Sequence, residues 1–267
     1  MENTARRRPD AHLPAAGRER PLGGEGARTE SHIMTQDDFG DRRARARARL
    51  DAIDPHKRPG GAEADPFRRD WFEAVYELAG DDPAGVPWAG LAPHPLLAQW
   101  LAGRSLAGLR ALDVGCGLGD NAEALAAAGA QVTAFDLAPR AIAWAQRRFP
   151  QSAVTWRAAD LFQPPPEWRG GFDFVHELYT LQALPDALLP DAAPALASFV
   201  APGGALLVIS RARDAGESVA GPPWPLTRAQ IEALAVDGLR LETLEDIPAN
   251  EGLVRHWRAL FRREGDK

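Results

Sequence analysis

From residue 109 onward the sequence alternates segments typical of β-strands with segments typical of α-helices. It predicts strands at 109–114, 131–136, 153–160, 172–177 and 205–210, and helices at 120–128, 139–148, 192–200 and 226–235. This alternation predicts a doubly wound α/β fold with a mostly parallel sheet, whose ligands bind at the carboxyl ends of the strands. The segments 238–246 and 252–263 predict two final strands without a helix between them, and therefore a hairpin that makes one strand antiparallel.

The N-terminal quarter of the chain has a different character. Residues 1–33 are rich in Gly, Pro, Arg and Glu without a periodic apolar pattern, which predicts a disordered tail. The extension at 34–65 contains a predicted helix at 36–53 and, from residue 59, a linker that runs to 66. A main domain is predicted at 66–267, with helices at 66–78 and 95–101 before its first strand as an N-terminal helical cap. The sequence leaves open whether translation starts at Met1 or Met34.

Charge and composition exclude several classes of function. Residues 66–267 carry a net charge of −7, which is a poor surface for nucleic acid, and the arginines at 42–49 are offset by neighbouring aspartates. No apolar run approaches ~18 residues, so a membrane-spanning helix is not expected, and the N-terminus lacks the apolar core of a secretory signal. The single cysteine, Cys116, excludes an intrachain disulfide and suggests a reducing, cytoplasmic location. The six histidines show no metal-binding spacing, so no metal site is predicted.

The strongest local signal is the segment ALDVGCGLGDN at 111–121, which follows a predicted strand and opens a predicted helix. Its glycines, Gly115, Gly117 and Gly119, allow a sharp turn and a close approach of the backbone to a ligand. The next strand ends in Asp136, whose carboxylate can accept hydrogen bonds from both hydroxyls of a ribose. Asp136 can also act as a helix N-cap, and the two roles are compatible.

The spacing and charge of this loop separate two classes of ligand. Dinucleotide enzymes use GxGxxG to bind a pyrophosphate at a helix N-terminus, whereas this loop reads GxGxG. Asp113 and Asp120 flank the turn, and these carboxylates would repel a pyrophosphate. A ligand with a positively charged end is therefore favoured over NAD(P), although Asp120 can also be an ordinary first-turn helix charge.

The segment DVGCGLG resembles motif I of the class I methyltransferases that use S-adenosylmethionine, and the resemblance extends over residues 66–263. It implies a Rossmann-like sheet of strand order 3-2-1-4-5-7-6 and release of S-adenosylhomocysteine as product. Asp113 and the glycines would hold the amino-acid part of the cofactor, Asp136 the ribose and Leu137 the adenine face. Asp160 would face the adenine amino group, and Glu177 would lie near the methyl-donor end. The cofactor residues implied in this way are Trp88, Asp113, Gly115, Cys116, Gly117, Gly119, Asp120, Asn121, Asp136, Leu137, Asp160, Leu161 and Glu177.

Two further segments suggest a subgroup. The tryptophan-containing segment 86–102 before motif I and GPPWPLT at 221–227 after the fifth strand resemble, in order and position, segments of the thiopurine, thiol and halide methyltransferases. Motif I itself departs from many of those relatives, which have a proline or valine near Cys116. The resemblance implies a small acceptor with a soft nucleophile such as a thiol. The predicted substrate pocket comprises Trp71, Tyr76, Trp88, Tyr179, Gln182 and Trp224.

Alternatives remain open at this point. A thiolate needs no strong base, whereas an alcohol or amine acceptor usually does, and His176 or Glu177 could serve; these two and Tyr179 are the predicted catalytic residues. A protein that binds S-adenosylmethionine without catalysis fits the same motif. Each residue also has an ordinary structural role, with Cys116 as a small residue in a crowded loop and Trp71 as a core residue. The acceptor atom and the oligomeric state are not indicated by the sequence.

Overall fold

The chain folds around a seven-stranded sheet of order β3-β2-β1-β4-β5-β7-β6. The computed structural model describes residues 36–219, 221–250 and 252–265, and the predicted tail at 1–33 lies outside the described residues. Strands β1 to β5 are mutually parallel, and β7 lies antiparallel between β5 and β6. The strands are β1 Arg110–Val114, β2 Gln131–Asp136, β3 Thr155–Ala158, β4 Phe172–Leu178, β5 Val200–Arg211, β6 Leu239–Ile247 and β7 His256–Arg263. The predicted fold class, strand order and C-terminal hairpin are confirmed.

Helices cover both faces of the sheet, as a doubly wound fold requires. They are α1 Gln36–Ile53, α2 Gly61–Ala64, α3 Arg69–Ala79, α4 Pro95–Leu101, α5 Asp120–Ala127, α6 Pro139–Arg148, α7 Leu189–Phe199 and α8 Arg228–Glu232. One apolar cluster packs α7 and α8 against the sheet, and a second packs α4, α5 and α6. None of the helices in the described ranges is long and apolar enough to cross a bilayer.

The predicted element boundaries differ from the structure in a few places. The predicted linker 59–66 contains the short helix α2, and the helix predicted from residue 66 begins at Arg69. Strand β5 begins at Val200, five residues before the predicted start, because Val200 already pairs with Phe172 on β4 and the register shifts between Phe172 and Phe174. The glycines at 203 and 204 are therefore part of the strand region, and they do not separate helix from strand.

Helix α1, which lies in the predicted extension, packs onto helix α3 of the N-terminal cap. Leu50 of α1 forms an apolar cluster with Trp71 and Val75 of α3. Just after α1, the Asp54 carboxylate pairs with the Arg68 guanidinium at 2.6 Å, and both side chains are 2% exposed. Arg68 also donates to the carbonyl oxygen of Ala183, beyond β4. Residues of the predicted extension thus belong to the same compact unit as the sheet.

Candidate functional site

A cavity of about 870 Å³ lies at the carboxyl edge of the sheet, beneath the N-terminal cap. Its wall includes the glycine loop after β1, the residues that follow β2, β3 and β4, the end of β5, aromatic residues of the cap and the start of β7. This is the edge where parallel α/β sheets bind ligands. The wall combines apolar and polar side chains, as small-molecule sites do.

The three loop glycines are needed for three different reasons. Gly115 has φ +65°, and a Cβ there would overlap Oγ1 of Thr180. Gly119 has φ +93°, and a Cβ there would lie 2.5 Å from the Trp156 ring. Gly117 has φ +54° but meets nothing closer than Nε1 of Trp88 at 3.5 Å, so its backbone faces the open cavity. The loop therefore packs tightly at its two ends and presents bare backbone to a ligand at its centre.

Asp136 closes the other side of this loop. Its carboxylate accepts hydrogen bonds from the backbone N–H groups of Gly117, at 3.0 Å, and Ala138, at 2.9 Å. It lines the cavity while only 8% exposed, and burial raises its pKa to about 6. Each carboxylate oxygen retains capacity for a further hydrogen bond. The position suits the ribose role that the sequence suggested, and the contact with Ala138 shows that Asp136 also stabilises the turn into α6.

The residues predicted for the adenine side of the site lie together in the cavity wall, and one of them is in an ion pair. Leu137, Asp160 and Leu161 all line the cavity. The Asp160 carboxylate pairs with the Arg69 guanidinium of α3 and accepts the N–H of Phe162 at 2.9 Å. An adenine amino group at Asp160 would therefore share its carboxylate with Arg69.

Asp120 and Asn121, at the start of α5, line the cavity, but their side chains are hydrogen-bonded to other protein groups. The Asp120 carboxylate forms two hydrogen bonds to Arg148, at 2.7 and 2.8 Å. Oδ1 of Asn121 accepts the N–H of His94 at 2.9 Å.

Cys116, in the glycine loop, is buried. Its burial, together with the charge of Asp136, raises the pKa of its thiol. A thiol of this kind behaves as a small packing residue and not as a nucleophile.

An aromatic wall from the cap faces the glycine loop. It consists of Trp71, Phe72, Tyr76 and Trp88, which contact one another edge-on or tilted with ring centroids 5.1 to 5.9 Å apart. Nε1 of Trp88 donates to the hydroxyl of Tyr76 at 3.1 Å. Three of the predicted pocket residues, Trp71, Tyr76 and Trp88, are therefore brought together on the cavity surface.

Three residues predicted for the site lie behind the cavity wall. Oδ1 of Asp113 on β1 is 2.6 Å from Nδ1 of His176 on the adjacent strand β4, and both side chains are almost fully buried. Glu177 is fully buried and accepts the N–H of Leu181, and burial raises its pKa to about 7. None of the three is among the residues that line the cavity. The structure therefore does not bring the predicted residues Asp113, His176 and Glu177 to the cavity surface, whereas it does bring Tyr179 there.

The loops at 182 and 224 also differ in part from the prediction. Gln182 lines the cavity, and its side chain accepts the N–H of Arg211 at 2.7 Å. Trp224 does not line it, because its ring packs against His56 and the Arg68 guanidinium. Pro222 and Pro223 take its place in the wall.

The polar end of the cavity is a hydrogen-bonded triad of His94, Tyr179 and His256, called the polar triad below. Nε2 of His94 lies 3.0 Å from Oη of Tyr179, which lies 2.7 Å from Nε2 of His256. Tyr179 adopts φ +73°, a left-handed conformation that is unusual for a bulky residue and is often found at functional sites. Thr180, the next residue, contacts Gly115, so the polar triad adjoins the glycine loop.

The backbone contacts of the two histidines assign the direction of these bonds. Nδ1 of His94 accepts the N–H of Leu96, which leaves the proton of the neutral ring on Nε2. Nδ1 of His256 faces the carbonyl oxygen of Val254 and must donate to it, so Nε2 of His256 is an acceptor. Tyr179 consequently accepts a hydrogen bond from His94 and donates its own proton to His256.

Burial keeps both histidines neutral. It lowers the pKa of His94 to about 4 and lowers the pKa of His256, and the nearby Arg211 charge acts in the same direction on both. The pKa of Tyr179 is raised by burial, an effect that Arg211 opposes. Arg211 itself ends β5 and lies with its guanidinium carbon 5.7 Å from the centroid of the Tyr179 ring.

Tyr179 was predicted from the sequence, but His94, His256 and Arg211 were not. His94 and His256 are separated by 162 residues and carry no local motif. The signal available was topological, since the first residue of an antiparallel β7 must lie beside the last residue of β5. In the structure His256 indeed pairs with Arg211 across this edge.

Residues 111–204 match a family described as "Methyltransferase domain". Over 118 residues the chain is 39% identical to a ubiquinone biosynthesis O-methyltransferase of Xanthomonas campestris pv. campestris (strain B100), which corresponds to 43% of this chain and 48% of that protein. The chain thus spans about half the length of the curated relatives it matches.

Solved structures share the fold over a larger part of the chain. One, described as "Conversion of a Disulfide Bond into a Thioacetal Group during Echinomycin Biosynthesis", is 26% identical, has a TM-score of 0.60, and covers 74% of this chain and 94% of its own. The 1,6-didemethyltoxoflavin-N1-methyltransferase of Burkholderia thailandensis, with bound S-adenosylhomocysteine, has a TM-score of 0.56 at 19% identity. The match covers 76% of this chain and 89% of that protein. Residues 111–204 therefore match the methyltransferase domain family, and the seven-stranded sheet has the class I methyltransferase fold.

Proposed function

We propose that the protein transfers a methyl group from S-adenosylmethionine to a hydroxyl group of a small molecule. The polar triad carries this proposal, because it supplies a neutral base system within the cavity and next to the glycine loop. A hydroxyl is a weak nucleophile until its proton is removed, and methyl transfer to it benefits from such a base. The O-methyltransferase name of the 39% identical relative agrees with a hydroxyl acceptor.

The residues at the glycine loop fit the cofactor. Gly117 presents open backbone, Asp136 has free acceptor capacity at the cavity edge, and Leu137 and Leu161 supply apolar surface for an adenine. The aromatic wall would shield the site from water and offers π-faces to a cationic sulfonium. When bound there, S-adenosylmethionine supplies an electrophilic methyl group.

The polar triad would manage the proton of the acceptor. As the acceptor oxygen gains the methyl group, its proton passes to Oη of Tyr179 while the Tyr179 proton moves to Nε2 of His256. The carbonyl of Val254 holds the other ring nitrogen of His256 in the donor form, which keeps Nε2 free to receive that proton. His94 donates to Tyr179 and fixes its hydroxyl, so that the oxygen lone pair toward the cavity is available. Positioning by Gln182 and the cavity walls would supply the remaining rate enhancement.

A sulfur acceptor is the second candidate, and it retains the sequence-based interpretation of a soft nucleophile. The 26% identical structure, described by the conversion of a disulfide bond into a thioacetal group, supports it. A thiol ionises without a strong base at neutral pH, so the polar triad would then serve only to orient the substrate. A protein that binds S-adenosylmethionine without transferring methyl is the third possibility.

The proposal is tested by calorimetric titration with S-adenosylmethionine and S-adenosylhomocysteine, followed by a screen of phenols, thiols and amines for S-adenosylhomocysteine production. We expect binding of both adenosyl ligands and turnover with phenols. Absence of adenosyl binding would refute the function altogether. Turnover confined to thiols would favour the second candidate, and binding without turnover on any acceptor the third.

The Tyr179→Phe variant separates hydroxyl from thiol chemistry. It removes the hydroxyl through which the proton of the acceptor would pass to His256. The kcat with a phenol should therefore fall about 100-fold or more. Binding of S-adenosylhomocysteine should be unchanged, which serves as the control for folding. An equal loss with phenol and thiol acceptors would mean that Tyr179 orients substrates and carries no proton.

We also propose a cytoplasmic location and a small-molecule methyl acceptor, with no nucleic-acid or membrane partner. A buried, lone cysteine and the net charge of −6 support this placement, because they fit a reducing compartment and disfavour nucleic acid.

A further inference from the structure

Arg211 is a cation in the cavity that has no counter-ion among the described residues. It lines the cavity at the end of β5 and is partly buried, with its Nε atom fully buried and unpartnered. Burying a guanidinium without a partner is costly, because its donors lose their bonds to water. Such a group is therefore expected to meet an anion at some stage of the protein's function.

The carboxylates in the cavity wall are all engaged elsewhere. Each is held by a cation or by backbone N–H groups: Asp51 by Lys57, Asp54 by Arg68, Asp120 by Arg148, Asp136 by Gly117 and Ala138, and Asp160 by Arg69. The side chains that surround Arg211, namely the polar triad and Gln182, are neutral at pH 7. The polar end of the cavity is thus positively charged.

We propose that Arg211 binds a carboxylate on the methyl acceptor, so that the substrate is an acidic hydroxyl compound. This inference rests on the proposed function. Arg211 pairs in the sheet with His256 and lies beside the Tyr179 ring. A molecule whose hydroxyl reaches Tyr179 would place a second polar group, a few bonds away, next to the guanidinium. The planar fork of an arginine matches a carboxylate with two parallel hydrogen bonds.

A bound carboxylate would also help the proton transfer. Arg211 opposes the arrival of positive charge on His256. An anion next to the guanidinium would offset that repulsion while His256 holds the proton of the acceptor. Binding and chemistry would then both favour an anionic substrate over a neutral one of the same shape.

The test compares acids with neutral molecules of equal size. The probes are the three hydroxybenzoate isomers and their three primary amides, titrated calorimetrically into the full-length protein saturated with S-adenosylhomocysteine. We expect the wild type to bind at least one acid about 10-fold or more tightly than its amide, as a charge-assisted hydrogen bond provides. The Arg211→Gln variant should lose this preference. Arg211→Lys should retain only part of it, because an ammonium cannot form the paired bonds.

The matched control is Arg213→Gln. Arg213 lies two residues away, but its guanidinium is held by the carbonyl of Pro225 and by Asp186, and it is absent from the cavity wall. This variant should keep the preference for acids. Because no turnover is measured, the result does not depend on whether methyl transfer occurs, and failure of the proposed function is detected separately by the absence of product.

Three outcomes would overturn the proposal. The first is a wild type that binds the acids no better than the amides, or binds neither. The second is a preference for acids that survives in Arg211→Gln. The third is a loss of affinity for S-adenosylhomocysteine in Arg211→Gln with an unchanged preference for acids, which would assign Arg211 to the carboxylate of the cofactor.

Discussion

Glu177 illustrates how a single buried carboxyl group can make the stability of the fold depend on pH. Its side chain is 0% exposed, accepts the N–H of Leu181, and has one oxygen without a partner among the described residues. Burial raises its pKa from 4.5 to about 7. The folded state therefore binds a proton more tightly than the unfolded state. The resulting contribution to stability is fully present below pH 4.5 and is lost as the pH rises through about 7.

The Glu177→Gln variant should remove this dependence. An amide keeps the acceptor for Leu181 without the charge, so the variant should be more stable than the wild type at pH 8 by up to about 3 kcal/mol. At pH 5 the two proteins should differ little. Urea unfolding at both pH values measures the difference, with the exposed Glu63→Gln as control. Equal stability at pH 8 would mean that Glu177 is stabilised as a carboxylate.

Gly115 offers a second test at the scale of one residue. Alanine there combines a left-handed φ with an overlap of its Cβ and Oγ1 of Thr180. We expect a loss of roughly 2–4 kcal/mol in stability, together with weaker binding of S-adenosylhomocysteine. Gly108→Ala separates the two causes, because Gly108 has φ +81° with nothing within 4 Å of the added Cβ, so only strain of about 1 kcal/mol applies.

A double-mutant cycle identifies the contact. Adding Thr180→Ala to Gly115→Ala removes the atom that collides, and it should recover part of the lost stability. Additive effects of the two substitutions would show that the backbone conformation alone makes Gly115 necessary.

At the scale of elements, helix α1 is joined to the sheet domain by the buried pair of Asp54 and Arg68. Asp54→Asn would leave the Arg68 guanidinium buried without a countercharge, at a cost of about 3–5 kcal/mol. Amide hydrogen exchange should accelerate in α1, whose other contacts are Leu50 against α3 and the partly exposed bonds of Arg42 to Asp82 and of Arg43 to the carbonyl of Ala89. The exposed pair of Asp81 and Arg147 is the control, since Asp81→Asn should change stability by less than about 1 kcal/mol. Unchanged exchange in α1 would contradict this role for the ion pair.

The element scale also shows what the sequence could predict. The strands β1 and β2 and the helices α4, α5 and α6 were predicted within one residue of their observed bounds, because their apolar periodicity and caps are local signals. Helix α8 begins with another local signal, a capping box between Thr227 and Gln230. Strand β5 was predicted too short because proline and glycine at 202–204 normally interrupt a strand, and pairing with β4 overrode that preference.

The site was less predictable than the fold for a physical reason. Motif residues such as Gly117 and Asp136 are fixed by one β-α-β unit, so their positions follow from short-range spacing. The polar triad instead joins the loop before α4, the end of β4 and the start of β7. His176 was predicted in place of His256 because it occupies a strand end in the sequence. Its side chain, however, points to the buried Asp113.

At the scale of the whole molecule, the cavity joins parts of the chain that are distant in sequence. Trp88 comes from the cap, Asp136 from the carboxyl end of β2 and His256 from the C-terminal hairpin of the sheet. A ligand that contacts all three regions is stabilised only when they are folded together. Such a ligand should therefore couple their unfolding.

We accordingly expect a single cooperative thermal transition in the presence of S-adenosylhomocysteine. Far-ultraviolet circular dichroism reports mainly on the sheet and helices, and tryptophan fluorescence includes Trp71 and Trp88 of the aromatic wall, so the two transitions should coincide. At a ligand concentration of 100 times Kd, stability should rise by about 2.7 kcal/mol. If fluorescence changed at a lower temperature than circular dichroism despite saturating ligand, the cap would open independently of the sheet. The aromatic wall would then not contribute to binding, and acceptor and cofactor would be held by the sheet edge and the polar triad alone.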